Sequence, residues 1–172
     1  MFRLYAPPPA RLNRNVRPQV DTRARIREAF KGVAKPTADQ DIAPHECGEC
    51  RKIVEDFKPY TFDRLPDRVV ADHKGSLPLL GPAALHHYLP AYMLYALDHP
   101  ESDVMMYTVF QLTPSKRSVE DTKTYFDQRF GVFSEAQRKA IGAFLKDVRD
   151  YQLYDSHEQE FERAAELWPL EA

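Results

Sequence analysis

The sequence predicts an all-α fold: a single domain of about seven helices over residues 21–172, preceded by a disordered, basic, proline-rich extension over residues 1–20. Two observations carry this. Apolar residues recur at helical spacing in one segment after another, and the single strand-like run, residues 104–112, has no convincing second strand to pair with. Glycine is scarce at 6 while proline reaches 14, which favours helices joined by rigid, proline-marked connections over a sheet with many tight turns. At 172 residues the chain is long enough for one core and short for two. Its hydrophobic content of 43% is that of a folded chain.

The extension holds Pro7, Pro8, Pro9 and Pro18 among arginines and asparagines, without apolar periodicity. An arginine-rich, acid-poor start also fits an organelle transit peptide, but its prolines make a poor amphipathic helix, so a disordered tail or a misassigned start codon ranks above it. It has no apolar stretch of the kind a secretory signal needs.

Asp21 or Thr22 is the expected N-cap of a first helix with Ile26, Ala29, Phe30 and Val33 on one side and Gly32 at its end. Residues 41–44 are expected to open a second helix, with Pro44 in its first turn, running to Phe57 before Pro59. Gly48 within that helix would be explained by close approach of another backbone or a bound ion. An aromatic connection, residues 60–66, leads to a short helix over 66–73, and residues 77–81 read as a loop over the core. Pro82 starts the longest apolar helix, which Pro90 should kink. Ser102 and Asp103 are N-cap residues for a helix through 104–112, and another follows over 119–130. Ser134 with Gln137 forms a capping box before Ile141, Phe144, Leu145 and Val148, and Ser156 with Gln159 repeats it before Phe161, Ala164, Ala165 and Trp168. The chain has no repeat of fixed period.

Net charge is -2, unevenly spread: Arg3, Arg11, Arg14 and Arg17 give the first 20 residues +4, leaving -6 for the rest. An acidic body argues against nucleic acid, whose binding depends on neutralising phosphates. No apolar run approaches the roughly 18 residues of a membrane span. The two cysteines, three residues apart, cannot build a loop-closing disulfide framework, so a reducing, cytoplasmic compartment is expected.

The chemistry-bearing stretch runs from Pro44 through His45, Glu46, Cys47, Gly48 and Glu49 to Cys50. His45, Cys47 and Cys50 supply three soft ligands, and a four-ligand zinc site would draw a fourth from His73, with His86, His87 and His99 as alternatives. A site using all three requires His45 to lie outside the helix. The competing account is packing: Cys47 and Cys50 face inward with Ile53, Val54 and Phe57. A redox pair is the third account. It needs Cys47 at a helix N-terminus, but Glu46 and Glu49 should raise the thiol pKa and no βαβ pattern accompanies the motif. Adjacent His86 and His87 point about 100° apart on a helix, one toward the core edge and one toward water. Tyr88, Tyr92 and Tyr95 form a half-buried face with hydroxyls at the core boundary, or an interface. The nucleophile elbow of a serine hydrolase and a phosphate-cradling glycine loop are both missing from the sequence.

Four segments, residues 26–33, 45–50, 84–93 and 137–145, resemble in order and spacing a family of small bacterial proteins known only as a domain of unknown function. The most specific piece is Tyr88-Leu89-Pro90-Ala91-Tyr92. The resemblance covers about residues 21–150. It implies a bacterial, cytosolic protein without an assigned activity, and makes the cysteine segment a feature of the family. The expected function is a protein-interaction or regulatory module with a protein partner and no cofactor. The alternatives are a zinc or thiol protein centred on Cys47 and Cys50, and an enzyme of unassigned class with a pocket near Pro90.

Overall fold

Pro82 opens the helix around which the others assemble. Its missing N–H falls where a helix has no use for one, and Gly81 before it is extended. The computed structural model describes residues 20–114, 119–150 and 158–168. Among them are nine α-helices, seven of them of seven residues or more, and no strand. These are α1 (Val20–Phe30), α2 (Asp39–Ile42), α3 (Gly48–Phe57), α4 (Asp67–Asp72), α5 (Pro82–Asp98), α6 (Asp103–Leu112), α7 (Val119–Phe130), α8 (Glu135–Asp150) and α9 (Glu158–Leu167), with 3-10 turns at Phe62–Arg64 and Leu77–Leu79. Residues 1–19 of the expected 1–20 extension, and Ser156 of the second expected capping box, lie outside the described residues, and Val20 belongs to α1.

α5 is apolar all round, so it goes to the middle. Of its 17 residues twelve are buried, and it touches α1, α2, α4, α6, α7 and α8. The helix continues through Pro90, itself buried, to Asp98. Tyr88 and Tyr92 are wholly enclosed rather than at the core boundary, and their hydroxyls donate to the carbonyls of Phe57 (3.0 Å) and His73 (2.8 Å). Burial without loss of the hydroxyl's hydrogen bond reconciles their polarity with the core.

α1 begins at Val20, so neither Asp21 nor Thr22 is its N-cap; Thr22 is buried within it. Gly32 follows its end with φ +89°, a left-handed conformation that suits glycine. The expected helix from residues 41–44 to Phe57 is instead two. Pro44 disfavours helical geometry in the residue before it, and Ala43 is extended at φ -140°, so α2 stops at Ile42. α3 starts only at Gly48, with Cys47 extended as its N-cap. A close backbone approach does occur nearby, but at Gly81 and not at Gly48: a Cβ on Gly81 would lie 2.6 Å from the Asp41 carbonyl oxygen, whereas Gly48 faces open space. Gly81 N–H donates to Ile42 O at 2.9 Å and ties α2 to the start of α5.

The remaining helices follow their sequence signals. Ser102 caps α6 by accepting from Val104 N–H at 3.3 Å. The capping box before α8 is reciprocal: Gln137 N–H donates to Ser134 Oγ at 3.3 Å, and Ser134 N–H to Gln137 Oε1 at 2.9 Å. Trp168 closes the far side, packed among Phe126, Phe130 and Phe133, with its indole N–H donating to Leu112 O at 2.8 Å. None of the described helices is long and apolar enough to cross a membrane.

Candidate functional site

The break between α2 and α3 builds the site. Because Pro44 ends α2, the chain leaves the core after the buried Ala43, residues 44–47 run as an exposed connector, and a helix resumes with Cys47 in the capping position. Cys47 is therefore solvent-exposed and does not face inward with Ile53 and Phe57; only Cys50 joins that buried stripe, at 1% exposure. The sulfur of Cys47 accepts the Cys50 backbone N–H at 3.2 Å, taking the place of the serine or aspartate oxygen usual there.

The two thiols are pushed in opposite directions. The Cys50 backbone N–H and the Cys50 thiol, with a smaller contribution from the Glu49 N–H, hold the Cys47 thiol below its ordinary value. Glu49 opposes this with its charge, but as the weakest influence, so hydrogen bonds at the helix start outweigh the acids beside them. Burial, and then the neighbouring Cys47, raise the Cys50 thiol. An exposed, activated sulfur and an enclosed, protonated one thus sit three residues apart.

Beside them lies a cleft of about 700 Å³ lined by Cys50, His45, Glu46, Arg51, Val54 and Glu55, with α2 residues on its other side. His45 is exposed and outside α3, the placement a three-ligand site would require. His73, however, is committed elsewhere. It caps the end of α4, is buried, and has Ser76 Oγ 3.2 Å from Nδ1 and Asp56 Oδ2 2.8 Å from Nε2. Among the described residues no group of three or more histidines, cysteines, aspartates or glutamates is gathered to hold a metal.

The chain of Lys52, Asp56, His73 and Ser76 was not legible in the sequence, because its members come from α3 and from the end of α4. Lys52 Nζ reaches Asp56 Oδ1 at 2.6 Å, and the His73 and Lys52 hydrogen bonds hold the Asp56 carboxyl below the usual carboxylate range. A second cleft, of about 520 Å³, is lined by Lys52, Asp56, Arg68, Val69, Asp72 and His73. Ser76 is not among those residues and is 4% exposed, so the hydroxyl has no route to a substrate there. The chain joins α3 to the end of α4 instead.

The other histidines also have structural partners. His86 Nε2 lies 2.9 Å from Gln137 Oε1. His87 is buried rather than facing water; Nδ1 lies 3.0 Å from Val33 O, and Nε2 accepts the Phe62 N–H at 3.2 Å. His99, half-buried, is 3.7 Å from Asp67 and 3.9 Å from Glu101. Pro90 and its neighbours Leu89, Ala91, Tyr92 and Met93 are all buried in the core.

Against known proteins, a family model described as "Family of unknown function (DUF6714)" matches residues 18–171. The chain belongs to that family, and the match takes in the last helix, which the resemblance over residues 21–150 left out. No curated protein and no solved structure matches the chain.

Proposed function

We propose that this member of the DUF6714 family is a dithiol protein that exchanges thiols with disulfides, Cys47 acting as nucleophile and Cys50 as resolving thiol. The observation that carries it is the asymmetry of the pair: Cys47 exposed, with its sulfur accepting the Cys50 N–H at the start of α3, and Cys50 buried behind it. Thiolate is the attacking species, and a helix N-terminus favours it.

The Cys47 thiolate attacks one sulfur of a substrate disulfide; that S–S bond breaks and the other sulfur leaves, taking up a proton as a thiol. Cys50 then gives up its proton and attacks Cys47 Sγ, displacing the second substrate sulfur, which is protonated in turn. Two electrons and two protons pass from the protein dithiol to the substrate, leaving a Cys47–Cys50 disulfide and two substrate thiols. A disulfide-bearing partner is compatible with an interaction role for the acidic helical body. A reducing cytoplasm would return the pair to its dithiol form.

Two variants test this. With a small disulfide in excess, the Cys50→Ser protein should accumulate a mixed disulfide on Cys47, and Cys47→Ser should react slowly. The unsubstituted protein should lose two hydrogens by mass as it closes its own disulfide. Alkylation of Cys47 should reach half its maximal rate at a lower pH than that of an unstructured peptide thiol measured alongside it. Equal reactivity of both thiols in the folded protein, or stoichiometric zinc in untagged protein blocking both, would overturn the assignment.

A further inference from the structure

We propose that the Cys47–Cys50 pair is selective for disulfides flanked by positive charge, through Glu46 and Glu49 on either side of Cys47 and Glu55 on the cleft wall. This deepens the dithiol assignment and rests on it. A substrate joined to Cys47 has its remaining chain beside Cys50, and Cys50, at 1% exposure, is one of the residues that line the cleft. The buried nucleophilic group and the cavity thus point to the same place for that chain. What surrounds the place is mostly acidic. Glu46 and Glu49 flank Cys47 and are exposed, and Glu55 stands on the cleft wall with Arg51 as the opposing cation. Asp39, also on the wall, is already balanced by Lys58 at 2.6 Å.

Two fields act on an approaching disulfide. The positive end of α3 favours anions, but its influence falls off within the first turn and is spent on the Cys47 sulfur itself. The glutamates are solvent-accessible side chains, two of them on the cleft wall, free to act on the substrate's flanking groups. Screening at physiological salt extends over about 8 Å, so charges on a small disulfide held at Cys47 are within reach of the adjacent Glu46 and of Glu49 two residues on, while Glu55, two turns along α3, acts on a substrate chain that enters the cleft. Steering by like-signed surface charge changes association rates by roughly 10- to 1000-fold. Three glutamates opposed by one arginine at an open site belong at the lower end, about tenfold.

The experiment uses the full-length reduced protein and three small disulfides: cystamine (doubly positive), bis(2-hydroxyethyl) disulfide (neutral) and dithiodipropionate (doubly negative). Each rate is divided by that of free monothioglycerol, a neutral thiol different from all three leaving groups, with the same compound, which removes differences in leaving-group reactivity. Cystamine should be favoured over dithiodipropionate about tenfold at low ionic strength. The ratio should fall toward one at ~1 M salt, and also in the Glu46→Gln, Glu49→Gln, Glu55→Gln triple variant. Arg51→Gln should raise it. A ratio near one at low salt, or one unchanged by the triple substitution, overturns the charge selectivity and leaves the dithiol chemistry standing. Failure of all three disulfides to oxidise the pair overturns the dithiol assignment itself.

Discussion

A single side chain, His87, carries the clearest pH dependence. Its ring bridges two backbone groups of opposite character, the Val33 carbonyl and the Phe62 N–H, which only the neutral Nδ1–H tautomer satisfies. Burial first, and then the charge of Lys35, hold its pKa below the ordinary 6.5, against the hydrogen bond to Val33 and the charge of Asp63. The unfolded chain therefore binds the proton more readily than the folded one, and stability falls as pH drops below 6.5 toward the folded-state value. Asp56 has the same sign in a lower window, losing its contribution as pH falls below 3.8. Urea unfolding of wild type and His87→Gln between pH 7.5 and 5 should show the difference, pH values being those about the ordinary histidine range. Wild type should weaken with acid more steeply, while the variant starts about 1–3 kcal/mol lower and changes less. Parallel curves would remove His87 from the account. Sequence could place His87 on a helix but not its bridge, since Val33 and Phe62 come from two connectors whose paths the core decides.

At the scale of elements, the starts of α5, α6 and α8 were readable, those of α1 and α3 were not, and helix partners were the least readable of all. The capping box at Ser134 and Gln137 is a local pattern and forms as expected, but Gln137 does more than close it. Its Oε1 also lies beside His86 of α5, and its amide donates to the Ala29 carbonyl of α1 at 3.2 Å. One 5%-exposed side chain thus joins three helices. Gln137→Ala should destabilise by about 2–3 kcal/mol, above the roughly 1 kcal/mol of a lost cap, because partners in α5 and α1 are left unsatisfied. Gln137→Glu should recover the cap but not the donor to Ala29. Chemical denaturation of both variants tests this, and an alanine effect no larger than a cap would show the cross-helix bonds to be idle. The interrupted stretch between α2 and α3 had its cue in Pro44, which constrains Ala43 to the extended region. Apolar spacing alone carries a helix across the proline and turns Cys47 inward; the helix-start position that a redox pair needs is the one Cys47 takes.

Across the whole molecule the dithiol pair straddles the edge of the core: Cys50 belongs to it, and Cys47 stands outside it, exposed. The core is organised around α5, and its far wall is closed by Trp168, whose ring meets Phe130 at 5.3 Å and Phe126 at 5.6 Å and has the Arg138 guanidinium 5.5 Å from its centroid. The pair stands at the start of α3, where the sulfur's donors are backbone N–H groups of that same helix start. Because those contacts are local to α3, a large loss of packing around Trp168 should lower global stability without altering the chemistry at Cys47. Trp168→Ala removes a fully enclosed indole and strands the Leu112 carbonyl, which should cost about 3–5 kcal/mol. Domains of this size have roughly 5–15 kcal/mol in total, so the variant should remain folded in mild conditions with a markedly lower denaturation midpoint. In that folded state the pH at which Cys47 alkylation is half-maximal should match wild type. If it moves toward the value of an ordinary thiol, the start of α3 depends on the whole core, and the Cys47 environment is a property of the assembled fold rather than of one helix end.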